Sequence, residues 1–128
     1  MLVSTSAAPQ EVEGVWTTYT DGVRFKIARA GNRNFLRASD RLEAPYRKAI
    51  QRGKMSTEKT LEIQCRAMAE GILLDWEGIA TEDGPLEYTV DNASLVLRHN
   101  VEVRDFVFEF ATEQENFRSE GIADTGKK

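Results

Sequence analysis

The chain has one cysteine, one histidine and three prolines. A lone Cys65 forms no internal disulfide, which predicts folding in a reducing cytoplasm. His99 has neither a second histidine nor a cysteine pair to complete a zinc site, so it reads as a boundary residue between two helices. No window approaches the roughly 20 apolar residues of a membrane span. Residues 1–10 lack the basic start and apolar run of a secretory leader. There is no phosphate-cradling glycine loop and no G-x-S-x-G turn. These absences predict a soluble, intracellular, non-enzymatic protein with no cofactor, no metal and no membrane contact.

What remains describes an ordinary globular chain. Its 128 residues are 41% apolar and 30% charged, enough for one domain that buries a core without metal or disulfide. The charge is unevenly spread. Residues 1–54 hold ten basic and five acidic groups, a net of +5, and residues 55–128 hold seven and sixteen, a net of −9. Opposite halves attract, either within one fold or head to tail between copies.

The organisation follows from local signals. Residues 1–12 lack periodicity and read as a flexible arm, and 119–128 as a flexible tail. Residues 13–118 read as a single, mainly α domain with an N-terminal β-hairpin. Asp21-Gly22, between Val15–Thr20 and Val23–Ile27, fits a type I′ turn. Val23, Phe25 and Ile27 alternate with Arg24 and Lys26, which separates an apolar face from a charged one. Asn32 or Asn34 caps a helix running to about Arg52, with Phe35, Leu42, Tyr46 and Ile50 on one stripe. Pro45 predicts a kink near Glu43-Ala44. Ser56 or Thr57 caps a second long helix, on which Leu61, Cys65, Met68, Ala69, Ile72, Leu73 and Trp76 share a face until Gly78. Ala80–Leu86 is a turn. Asp91 caps a short helix to Leu97, and Asn100 a last one to about Arg118. Phe106, Phe108 and Phe110 would also alternate in a strand, but Val103, Phe106, Val107, Phe110, Gln114 and Phe117 hold the helical period for longer.

Candidate chemistry is sparse. Cys65 on an apolar stripe reads as an inert buried thiol. Asp75, Glu77, Glu82 and Asp83 read as a solvated cluster that fits no calcium loop. Arg33, Arg37 and Arg41 form a basic ridge, and Glu102, Asp105, Glu109 and Glu113 an acidic one. The two ridges could pair within a monomer or across a subunit boundary. Nucleic acid is disfavoured, because the chain is acidic and no aromatics interleave with the arginines. Trp16 and Tyr19 either seal the core or stand exposed as contact anchors.

The phrases VWTTYTDGVRFKIARAGNRNFL, LEAPYRK, AEGILLDWEGI and VRDFV resemble the tail assembly chaperones of long-tailed bacteriophages over most of residues 14–110. The resemblance implies work in the host bacterial cytoplasm and absence from the finished virion. It implies binding to the tape measure protein, recruitment of the tail tube protein and self-association. It also implies a longer product made by programmed frameshifting, for which Gly126-Lys127-Lys128 codons could form a slippery run. It supplies no residue-level site. Arg33, Arg37, Arg41, Trp16 and Tyr19 are therefore the residues expected to make partner or self contacts. The alternative is a structural tail or head–tail connector component.

Overall fold

In the computed structural model, which describes residues 1–118, Asp21-Gly22 turns the chain between β1 (Val15–Thr20) and β2 (Val23–Ile27). The strands run antiparallel, with Val15 opposite Ile27 and Thr18 opposite Arg24. The turn is not type I′. Gly22 has φ 79° and, among the described residues, no non-glycine residue has a positive φ, whereas type I′ needs both central residues left-handed. A register shift between Thr18 and Thr20 adds local twist at Tyr19 instead.

Fold class is the main correction. The second long helix, α4 (Thr57–Gly71), stops before Leu73, and Leu73–Glu77 forms β3. This strand pairs antiparallel with β2, Phe25 opposite Trp76 and Arg24 opposite Glu77, so the sheet order is β1-β2-β3. The architecture is α+β, not mainly α. The apolar spacing from Met68 through Ile72 to Trp76 fits a continued helix. However, β2 offers an open edge, and each residue that pairs there satisfies backbone groups a helix end leaves free. Burial of the stripe is unaffected, since Cys65, Met68, Ala69, Ile72, Leu73 and Trp76 are all buried.

The other helices are α1 (Pro9–Glu13), α2 (Arg33–Glu43), α3 (Arg47–Gln51), α5 (Val90–His99) and α6 (Val101–Thr112); α2 and α5 pack on α4, and α6 packs on α5 and β2. Pro45 sits in a 3-10 turn, Ala44–Tyr46, that separates α2 from α3. A two-residue ladder, β4 (Ala80–Thr81) with β5 (Gly84–Pro85), occupies the predicted turn. Thr89, not Asp91, caps α5 by accepting the Asn92 N–H. Phe106 and Phe110 reach the core from a helical α6. The core joins Phe25, Ile27, Leu73 and Trp76 of the sheet to Met68 of α4, Leu97 of α5 and Val107 of α6. Each large side chain there contributes roughly 1.5–3 kcal/mol.

The stretch read as an arm contains α1. Glu11 pairs with Arg29 at 2.5 Å, and its carbonyl accepts the Arg29 N–H at 2.9 Å. Residues 1–7 are exposed. The tail, 119–128, lies outside the described residues.

One junction sets the position of α2. Asn32 is buried, and its Oδ1 accepts from the N–H groups of Asn34 and Phe35 at 2.9 and 3.1 Å. Its Nδ2 donates to the carbonyls of Arg29 and Gly71 at 2.6 and 2.8 Å. A Cβ added at Gly71 would stand 2.5 Å from the Phe35 Cα. Gly71→Ala is therefore expected to destabilise the chain by about 1–3 kcal/mol, because backbone cannot rotate away from the bump. The exposed Gln64→Ala on the same helix should stay within ~0.5 kcal/mol. Denaturant unfolding of the two variants checks this, and equal stabilities would refute the close crossing.

Candidate functional site

The basic ridge divides. Arg33, Arg37 and Arg41 are all exposed on α2, but Arg41 Nη2 reaches Glu70 Oε2 at 2.6 Å. Glu70 also takes Arg66 Nε at 3.0 Å, and Arg66 Nη1 reaches Asp91 at 2.5 Å. This chain of charges ties α2 to α4 and α4 to α5. Burial opposes ionisation of Glu70, yet hydrogen bonds from Arg41 and Arg66 outweigh it and hold the carboxyl below its usual value. Arg41 is thus occupied inside the monomer. Among the described residues, Arg33 and Arg37 make no ion pair, and neither do Glu102, Asp105, Glu109 and Glu113. The two ridges do not meet within one copy. The oppositely charged halves of the chain meet elsewhere, through Arg41–Glu70 and through Arg24–Glu77 at 3.4 Å.

The hairpin aromatics also separate. Pleat alternation puts Trp16 and Tyr19 on opposite faces of the sheet, with the register shift between them. Tyr19 lies on the inner face, edge-on to Phe106 at 4.9 Å and 5.6 Å from Phe25. Trp16, opposite Lys26, lies half-buried on the outer face with the Arg24 guanidinium 5.0 Å above its ring. Tyr19 serves the core. Trp16 belongs to a polar outer face with Arg24, Lys26, Asp75 and Glu77.

Two apolar features went unread in the sequence. The first is a groove of about 570 Å³ between α2, α3 and α4, lined by Phe35, Ser39, Glu43, Ile50, Met55 and Ile63. Leu36 and Ile50 are 55% and 41% exposed nearby. The second is the outer face of α6, where Val101 and Phe108 are 56% and 42% exposed among Glu102, Asp105 and Glu109. Scattered apolar side chains are ordinary on a surface, but clustered ones mark contact sites. The signal for the groove is Pro45, which turns α3 out of line with α2 so that Ile50 leaves the core stripe.

The reactive groups are quiet. Cys65 is buried, and burial pushes its thiol up, with Arg104 and Arg98 only partly opposing. His99 is exposed at the end of α5. Glu77 pairs with Arg24, and Asp75 accepts the Trp76 N–H at 2.8 Å. Among the described residues, no group of His, Cys, Asp or Glu is placed to hold a metal ion. None of the described helices is long and apolar enough to cross a membrane. Tyr88 closes the core, its hydroxyl donating to the Leu73 carbonyl at 2.6 Å with the Ala69 carbonyl also in reach at 3.1 Å. Burial, helped by Asp75, pushes its pKa up to about 12.

The family model for the YdaY prophage protein matches residues 30–128. The chain belongs to the YdaY prophage protein family, and it is therefore phage-derived. No curated protein and no solved structure matches it.

Two pH dependences follow. Glu70 is held ionised in the fold, so its contribution is present above its unfolded pKa and is lost as pH falls through the lower folded value. Glu70→Gln should flatten that acid limb and cost up to ~1 kcal/mol per exposed pair lost near neutrality. Tyr88 is held neutral, so its contribution is full below its ordinary value of 10.0 and is lost as pH rises towards about 12. Tyr88→Phe should remove that part of the alkaline fall. Thermal unfolding across pH reads both effects, and variants that track the wild type at both extremes would contradict the assignments.

Proposed function

We propose that this phage protein is a tail assembly chaperone that binds the tape measure protein in the host cytoplasm and leaves before the virion is complete. The family places the chain in a phage context. The observation that carries the finer reading is the surface. A small acidic domain exposes an apolar groove and a face of α6 on which Val101 and Phe108 stand among Glu102, Asp105 and Glu109, which make no ion pair among the described residues. The phrases that resemble tail assembly chaperones support the same reading. They include the whole β-hairpin, the Pro45 turn and the entry into β3.

The physical task suits such a chain. A very long helical tape measure exposes apolar surface and aggregates unless it is covered. Many copies of a small domain of net charge −4 would cover it and keep the assembly dispersed by mutual repulsion. The tail tube protein would then be recruited around the covered client. A longer frameshifted product would append a second segment for that step.

Co-expression with the tape measure protein of the same prophage tests this reading, together with mass spectrometry of purified particles. The expected result is co-purification, more soluble tape measure protein, and absence of the chain from particles. Stoichiometric recovery from particles would support a structural tail or connector component instead. Failure to hold the tape measure protein in solution would contradict chaperoning.

A further inference from the structure

Arg98, near the end of α5, is a charge that the fold leaves unanswered. Its Nε is buried without an acceptor, and among the described residues no other buried side-chain nitrogen or oxygen is in that state. Its guanidinium makes no ion pair there either. Buried polar groups are satisfied as a rule, and an exception calls for a cause. The neighbours do not supply one. Arg104 is a second cation, turned to the carbonyls of Leu97 and Arg98 at 2.7 and 3.3 Å. Cys65 lies beside both arginines, but burial pushes its thiol up and keeps it neutral.

Arg98 lines a cleft of about 210 Å³ between α2, α4 and α5, distinct from the apolar groove. Helical spacing builds this lining. Ser94 and Arg98 are one turn apart on α5, and Lys59, Glu62 and Arg66 span two turns on one side of α4. Three cations therefore meet one carboxylate in the lining. Lys59 holds Glu62 at 3.1 Å. Arg66 is already occupied by Glu70 and Asp91 at 3.0 and 2.5 Å. Ser94 is buried, and its hydroxyl makes no hydrogen bond among the described residues.

We propose that this cleft binds a phosphate group, with Arg98 as its charged partner and Lys59 and the Ser94 hydroxyl as further donors. A guanidinium offers such oxygens paired N–H donors. The enclosed Nε is not reached, so the anion answers the charge through the Nη groups of the same delocalised cation. Three positive groups against one negative leave an excess of two in the lining, which a phosphate dianion matches. The cleft is smaller than the pockets that hold cofactors and drug-sized ligands, so one acid group fits it and a nucleotide does not. The site is independent of the chaperone reading, since it needs only the purified chain.

Nuclear magnetic resonance of the labelled full chain, titrated with inorganic phosphate against sodium chloride at equal ionic strength, reads the site directly. Saturable shifts are expected at Lys59, Ser94 and Arg98 with phosphate and not with chloride. Arg98→Met should weaken phosphate binding at least about tenfold, the loss of one charge-assisted contact. Lys59→Gln removes a donor, frees Glu62 to repel the anion, and should weaken binding as well. Lys59 is the more accessible position, so that variant keeps the test readable if Arg98→Met does not fold. Arg33→Gln, an exposed cation of α2 outside the cleft, should bind as the wild type does. Inorganic phosphate and a phosphoserine peptide present the same group. Tighter binding of the peptide would assign the cleft to a protein-borne phosphoryl group, and equal or weaker binding to the free ion. Shifts that chloride reproduces overturn the proposal. So do shifts spread evenly over the exposed cations, or Arg98→Met and Lys59→Gln proteins that bind phosphate like the wild type.

Discussion

The amide of Asn32 is the constraint on which the arrangement depends. It is buried, and all of its hydrogen-bonding groups are used: two acceptances at the start of α2 and two donations, to the Arg29 and Gly71 carbonyls. A buried amide with every partner present is inexpensive, and one with a partner missing is not. Gly71 has no side chain, so Phe35 can press on its backbone. The same place ends α4. Ile72 leaves the helix with φ −122° and its carbonyl takes the Ala28 N–H at 2.8 Å, which feeds Leu73–Glu77 onto β2. One polar side chain therefore caps a helix, sets a helix crossing and lies where the third strand begins.

Much of this was legible from residue order. Asp21-Gly22 between β-rich runs marks the hairpin, Asn32 or Asn34 marks a helix start, which the fold resolves to Asn32, and Pro45 marks the break between α2 and α3. The buried stripe through Cys65, Met68 and Ile72 is read correctly from spacing alone. The third strand was not legible, because Leu73 and Trp76 suit the inner side of a helix or of a strand equally well. That choice is made by an open edge of β2 nearly fifty residues earlier in the chain. The turn type was misread for a related reason, since Asp-Gly allows two left-handed residues but the register shift beside Tyr19 leaves only Gly22 in that conformation.

The candidate site was half visible. Three arginines at helical spacing look equivalent in sequence. Folding brings Glu70 to Arg41 alone and leaves Arg33 and Arg37 outside the network. Trp16 and Tyr19 look like one aromatic pair, yet they lie on opposite sheet faces. Phe108 was masked by its neighbours, because Phe106 and Phe110 are core residues and nothing local distinguishes the one that points to water. What the fold adds is an inventory of charges already satisfied. The pairs among α2, α4 and α5 and across the outer sheet bridge neighbouring elements, and Glu102, Asp105 and Glu109 of α6 are left unpaired among the described residues beside the exposed Val101 and Phe108.

The most direct test of this account is the equilibrium unfolding of Asn32→Asp. Aspartate caps a helix as well as asparagine does, so the bonds to Asn34 and Phe35 survive, while the donations to Arg29 and Gly71 are replaced by oxygen facing oxygen. The account predicts a loss of at least about 2 kcal/mol, since the buried bond to the Gly71 carbonyl is lost, the Arg29 carbonyl keeps only the Asn32 backbone N–H at 3.2 Å, and a carboxylate faces both oxygens. Stability within ~0.5 kcal/mol of the wild type, the range of an ordinary surface change, would show that Asn32 is a cap and nothing more, and that something else fixes the junction of α2, α4 and β3.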